Sequence, residues 1–218
     1  MTAIRVLIGD DHRIVREGLK QVLADAPEVQ VVAEAPDGEQ VLAQVEALGG
    51  RHGLEMVLLD VAMPGRDGID VLQRLRKAHP ALPVLMLSTY PERQYAVRCI
   101  RMGAAGYLHK SADPDDMLAA VRKVASGGMY VTPATAEALA SAVGRSDTRA
   151  GPEALSHREH QVYRLLTQGL TVTEIGAQLG LASNTVSTYR ARILEKTGTK
   201  NDVELAIYAE RHARPAAL

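Results

Sequence analysis

The sequence predicts an α/β domain built on a five-stranded parallel sheet, followed by a smaller all-α domain. Three observations carry this. Five apolar runs of strand length alternate with helical stretches from residue 4 to about residue 126. Carboxylates and a lysine fall just past the ends of those runs. Composition then shifts near residue 141, and from Ser156 onward every apolar pattern has helical spacing. Strict strand–helix alternation favours a parallel sheet covered by helices on both faces.

In chain order, the first strand candidate is Ile4–Ile8, which leads to Asp10-Asp11 and a helical pattern over His12–Ala24. Val29–Ala33 is the second strand and Gly38–Leu48 its helix. Met56–Leu59 is the third strand, closed by Asp60 and followed by a helix over Ile69–His79. Val84–Leu87 runs into Ser88, then a helix spans Glu92–Met102. Gly106–Leu108 precedes Lys110 and a helix over Pro114–Ser126. Pro27, Pro36, Gly49-Gly50, Pro80, Pro83 and Pro91 punctuate the ends of these elements.

Pro133–Ala142 has the pattern of a connecting helix. Residues 141–153 are small and polar without apolar periodicity, the composition of a linker. The expected division is therefore 1–127, a connecting helix and linker over 128–153, and 154–218. Breaks at Gly169, Gly180 and Gly198 cut the last part into four helices.

With 218 residues the chain exceeds the usual size of one domain. Hydrophobic content of 46% and charged content of 23% are those of an ordinary globular protein. Seven Tyr, no Phe and no Trp mean that the cores are aliphatic. No apolar stretch approaches the roughly 20 residues needed to span a bilayer. The N-terminus has no signal-peptide layout, and the lone Cys99 rules out a disulfide framework, so a cytoplasmic location and no membrane partner are expected. Residues 149–218 carry 9 Lys+Arg against 7 Asp+Glu, whereas residues 1–148 carry 16 against 19. That asymmetry points weakly to an anionic partner for the C-terminal part.

In a parallel sheet ligands bind past the carboxyl ends of the strands, so Asp10, Asp11, Asp60 and Lys110 converge in one crevice. Adjacent carboxylates repel unless a cation joins them. This hard all-oxygen set suits Mg²⁺, which keeps open positions for phosphoryl oxygens. A carboxylate is itself a competent phosphoryl acceptor. Lys110 would pair with the added charge, and the Ser88 hydroxyl would hydrogen-bond a phosphoryl oxygen.

Residues 1 to about 127 resemble the receiver domain of two-component response regulators, a flavodoxin-like fold of five strands and five helices. The resemblance rests on the acidic pair Asp10-Asp11, Asp60, Ser88, Tyr107 and Lys110, with Pro64 and Gly68 in the loop after Asp60. It implies phosphoryl transfer from a sensor histidine kinase to Asp60. Asp11, Asp60 and the Ala62 carbonyl would ligate Mg²⁺, with Asp10 acting through water. Ser88 would swing toward the phosphoryl group and Tyr107 would turn inward behind it. Many receivers have proline after the lysine; this chain has Ser111.

In the C-terminal part, Thr171–Leu179 and Ser183–Thr197 read as two helices joined by a tight turn at Gly180, a helix-turn-helix. Val186, Tyr189, Ile193, Leu194 and Thr197 share one side of the second helix. Asn184, Thr185, Ser187, Thr188, Ala191, Arg192 and Glu195 share the other, small and polar enough to enter a major groove. The stretches Leu155–Glu159, Glu174–Gly176, Thr185-Val186 and Lys196–Gly198, with Glu204-Leu205, resemble the LuxR/FixJ DNA-binding domain. The resemblance implies a four-helix domain with DNA contacts from Asn184, Thr185, Ser187, Thr188, Tyr189, Ala191, Arg192 and Lys196. Its last helix, Val203–His212, would dimerise through Val203, Leu205, Ala206 and Ala209. Ala182 stands where serine is usual, which moves the expected helix cap to Ser183.

His157 and His160, three apart with no third partner, read as surface helix residues, and Cys99 as a core residue.

The expected function is transcription regulation: phosphorylation at Asp60 promotes homodimerisation and promoter binding. The partners are a sensor histidine kinase and promoter DNA, with RNA polymerase a further candidate. A phosphatase using Asp60 as nucleophile needs a second acid where Ala62 stands. An alternative regulator would bind DNA independently of phosphate, its receiver serving for dimerisation or docking.

Overall fold

The computed structural model describes residues 3–89, 92–143, 155 and 157–213. The chain divides into two compact units, residues 1–146 and 147–218. Most of the expected linker, residues 144–153, lies outside the described residues.

In the first unit, five strands form one parallel sheet in the order β2-β1-β3-β4-β5. They are β1 (Ile4–Gly9), β2 (Val29–Ala35), β3 (Met56–Asp60), β4 (Val84–Ser88) and β5 (Gly106–His109). Helices α1 (Arg13–Ala24), α2 (Gly38–Ala47), α3 (Gly68–Ala78), α4 (Glu92–Arg101) and α5 (Pro114–Ala125) follow the strands in turn. A short 3₁₀ turn at Gly50–His52 precedes β3. The all-buried runs MVLLD and VLMLS of β3 and β4 are those of central strands covered on both faces.

Alternation along the strands splits the core in two. Leu7, Val57, Leu59, Met86 and Tyr107 lie on the face covered by α2, α3 and α4. Val6, Ile8, Leu58, Leu85 and Leu87 lie on the other, beneath α1 and α5. Cys99 is fully buried, as its pattern predicts, and burial pushes its thiol up to about 12.

Two features went unread in the sequence. After α5 the chain returns along the free edge of β5, where Tyr130 bridges Gly106 in parallel. Helix α6 (Pro133–Val143) then packs against α4. Its first turn is held by Thr132, whose hydroxyl accepts from the Thr135 N–H at 3.2 Å. No described peptide bond is cis, the one preceding Ser111 included.

The second unit contains α7 (His157–Thr167), α8 (Val172–Leu179), α9 (Ser183–Thr197) and α10 (Asp202–Ala213) around one aliphatic core. Thr171 and Glu174 form a reciprocal capping box that starts α8. Gly180 ends it with φ 65°, a left-handed turn that a side chain would strain. Helix α9 follows after two residues.

Candidate functional site

The strand order reverses between β1 and β3, and there the crevice opens. Gly9 pairs with Leu59, so Asp10 follows β1 beside Asp60 at the end of β3. Ser88 pairs with His109, which places Lys110 one residue beyond. Asp10, Asp60 and Ser88 are buried, while Asp11 is half-buried.

Lys110 Nζ lies 2.6 Å from Asp10 Oδ2 and 2.8 Å from Asp60 Oδ2. Its backbone N–H donates to the Ser88 carbonyl at 2.8 Å. Burial pushes the Asp60 carboxyl above its ordinary value, against the pull of Lys110. Burial also penalises the Lys110 ammonium, but Asp60 and Asp10 outweigh it, and its pKa sits above the usual lysine value. The ammonium therefore stays charged between the two acids.

Ala62 donates a backbone N–H to Asp60. The loop that carries it is fixed by Gly68, whose N–H donates to the Val61 carbonyl at 3.0 Å. A Cβ on Gly68 would stand 1.9 Å from the Asp60 carbonyl oxygen, so only glycine permits this approach. Asp67 caps α3 by accepting from the Asp70 N–H at 2.8 Å.

The residues present suit a divalent cation. One donor atom from each of Asp10, Asp11, His12 and Asp60 lies within 4.8 Å of the others. Asp10 Oδ2 and Asp60 Oδ2 share the one Lys110 ammonium, and Asp11 Oδ1 lies 2.9 Å from His12 Nδ1. Three carboxylates beside one ammonium leave a surplus of negative charge that a divalent cation would meet.

The Tyr107 ring lies fully inside the core of the α3–α4 face. His109, which sequence reasoning did not single out, ties the loop after β4 to β5. Its Nε2 is 2.9 Å from the Thr89 carbonyl and its Nδ1 2.6 Å from Ser111 Oγ.

In the second unit Asn184, Thr185, Ser187, Thr188, Ala191 and Arg192 are exposed along α9. Three expected assignments change. Lys196 pairs with Glu159 of α7, Nζ to Oε2 at 2.6 Å, so its charge is committed to a buried carboxylate. Tyr189, expected to touch DNA, packs partly against the helical core on the Val186 and Ile193 side, where its spacing puts it. Leu205 is fully buried in that core and has no surface to offer a second copy. Val203, by contrast, is 71% exposed, and Ile207, one turn on and not anticipated, is 47% exposed.

Two smaller expectations also change. Ser183 is the first helical residue of α9 and caps nothing; Ala182 holds the cap position without a side-chain hydrogen bond. His160 is not a surface residue but lies partly buried, its ring centroid 5.7 Å from that of Tyr163. Arg190, unremarked in the sequence, joins α9 to α10 through Asp202 Oδ1 at 2.8 Å and Oδ2 at 3.1 Å.

A family model described as the response regulator receiver domain matches residues 6–122. A second, bacterial regulatory proteins of the luxR family, matches residues 153–209. The transcriptional regulatory protein UhpA of Escherichia coli K12 is 42% identical over 203 residues, covering 93% of this chain and 96% of UhpA. The response regulator GacA of Pseudomonas viridiflava is 38% identical over 210 residues, 96% of each chain. Among solved structures, the Salmonella typhimurium RcsB response regulator superposes with a TM-score of 0.59 at 27% identity, covering 97% of this chain and 100% of that one. The chain belongs to the two-component response regulators of the NarL/FixJ type, which join a receiver domain to a LuxR-type helix-turn-helix domain.

Proposed function

We propose that this protein is a phosphorylation-controlled transcription regulator that takes a phosphoryl group from a sensor histidine kinase onto Asp60. The observation that carries the reading is the convergence of Asp10, Asp60 and Lys110 within 2.8 Å contacts at the switch point of the sheet. An Asp60 carboxylate oxygen forms the new bond to phosphorus as the phosphohistidine nitrogen departs with the electron pair. Asp11, Asp60 and the Ala62 carbonyl are the residues to hold Mg²⁺, with Asp10 acting through water. Bound there, Mg²⁺ neutralises the carboxylates and the charge on the transferring oxygens. Lys110 offers its ammonium to the added charge, about −1.5 to −2 at neutral pH. Ser88, buried beside them, supplies a hydroxyl.

The signal then has a physical route. Ser88 and Tyr107 sit on β4 and β5, α4 packs on β5, and α6 packs on α4. A shift of α4 on phosphorylation is felt first by the helix that leads to the second unit. In that unit the exposed polar face of α9 is suited to base edges, and promoter DNA is its partner. Val203 and Ile207 on α10 are the apolar surface for a second copy, with Ala206 beside them; Ala209 contributes less, being packed inward. Two copies on paired half-sites would offset the few cations on α9. Among the described residues no helix is long and apolar enough to cross a membrane.

The test is Asp60→Asn with a small-molecule phosphodonor. Wild type is expected to incorporate one acid-stable, base-labile phosphoryl group and to tighten on its promoter. The variant is expected to do neither; an unchanged DNA response in the variant would favour a regulator that works without phosphate.

A further inference from the structure

Strands β4 and β5 end beside the acidic cup of Asp10, Asp11 and Asp60, and one side chain joins the segments that follow them. The backbone ladder closes where the Lys110 N–H donates to the Ser88 carbonyl at 2.8 Å. The next carbonyl, that of Thr89, is met by an imidazole: His109 Nε2 lies 2.9 Å from it. The other side of the same ring faces Ser111. There Nδ1 is 2.6 Å from the Ser111 hydroxyl and 3.2 Å from its backbone N–H.

A carbonyl oxygen only accepts, so Nε2 carries the ring proton, and Nδ1, which accepts from the Ser111 N–H, carries none. Both nitrogens are thus engaged, one with the residue after Ser88 and the other with the residue after Lys110. Ser88 is fully buried at the end of β4, while Lys110 reaches Asp10 and Asp60 from beyond β5. Thr89 is exposed, so water takes its carbonyl once the imidazole is removed, and the loop is released from β5. A polar group near reacting atoms loses much of its effect when it is misplaced by a fraction of an ångström.

We propose that His109 is a positioning residue for phosphoryl transfer: by tying the Thr89 carbonyl to β5, it holds the backbone on which the Ser88 hydroxyl turns toward Asp60. The inference rests on the reading of Asp60 as the phosphoacceptor. His109 acts through Ser88, so its loss matters only while Ser88 keeps its hydroxyl. A side chain that restores the donor to Thr89 restores the rate. A role confined to the stability of β5 predicts neither.

The experiment uses the full chain with Mg²⁺ and phosphoramidate as the small phosphodonor, following phosphoryl incorporation at Asp60. His109→Ala is expected to slow incorporation about tenfold, short of the roughly hundredfold that a displacement of a full ångström brings. His109→Gln, whose amide N–H takes the place of Nε2–H, is expected to recover most of the rate. His109→Asn, whose amide falls at the position of Nδ1, is expected to stay as slow as the alanine variant. In a Ser88→Ala background, His109→Ala is expected to cost no further rate. Ser111→Ala leaves His109 in place but frees its ring to turn, and is expected to give a smaller loss of the same kind should the alanine variant not fold. An unchanged or faster rate in His109→Ala overturns the proposal. So does a glutamine variant as slow as the alanine one, or a loss that adds in full to that of Ser88→Ala. If the wild type takes up no phosphoryl group, the phosphoacceptor reading falls with it; if the wild type is phosphorylated at Asp60 and the variants match it, only this inference falls.

Discussion

Lys196 on α9 and Glu159 on α7 meet at 2.6 Å, and the carboxylate is almost wholly enclosed, its side chain 3% exposed against 38% for the lysine. The pair ties the helix proposed to read DNA to the first helix of its unit, 37 residues earlier in the chain. An enclosed carboxylate that loses its cation loses part of what offsets its burial.

Lys196→Met is therefore expected to lower the stability of the second unit by about 1–3 kcal/mol, below the value for a fully enclosed pair because water reaches the ammonium. Glu159→Gln in the same chain should recover much of it. Thermal unfolding of the two variants and the double variant checks this. As a positioning residue, Lys196 should leave the slope of log affinity for DNA against log salt unchanged; a slope lower by about one would make it a phosphate contact instead.

Gly68→Ala is expected to disturb the receiver out of proportion to one methyl group. The added carbon would press on the Asp60 carbonyl, and the backbone cannot yield as a flexible side chain can. A cost of about 1–3 kcal/mol is typical of such overpacking. Phosphoryl incorporation from a small donor should slow as well, because the displaced segment carries Asp60 and Ala62. A variant that melts and reacts as wild type does would refute the account.

Ala182→Ser should stabilise the second unit. Helix α9 lacks a side-chain cap, and a serine there can accept from the exposed N–H groups of the first turn. The expected gain is about 1 kcal/mol. A denaturant titration measures it, and no change in midpoint would mean that the local backbone cannot seat the cap.

Burial, with a smaller contribution from Arg164, holds the His160 imidazole below its ordinary pKa. The unfolded chain thus binds a proton at a pH where the folded chain does not. The stability tied to this group is present above the usual histidine range and is lost as pH falls through it. Melting followed from pH 8 to pH 5 should show this decline, and His160→Gln should flatten it. An identical pH slope in the variant would assign the decline to other groups.

Local pattern made much of this molecule legible. The strand–helix alternation, the carboxylates after Ile8 and Leu59, and the turn at Gly180 all arise from neighbouring residues, where backbone geometry and side-chain periodicity act directly. The C-terminal end of α9 likewise follows from Gly198, which closes it in a left-handed turn. The acidic cup was readable because strand ends in a parallel sheet must converge, whatever the side chains between them. His12 was equally visible beside the acidic pair, yet its reach toward Asp11 was not.

What periodicity could not supply is the partner of each side chain. Lys196 and Leu205 each belong to a helix surface, and a helical wheel does not say which neighbouring helix covers them. Glu159 claims the lysine, and the core of α7–α10 claims the leucine. Likewise the sequence predicts α6 as a helix, while its seat against α4 depends on the chain folding back along β5. The sequence by itself determined the elements and the chemistry placed at their ends. Only the tertiary structure decided which charges remain available to a ligand, because burial and pairing join residues that local sequence never brings together.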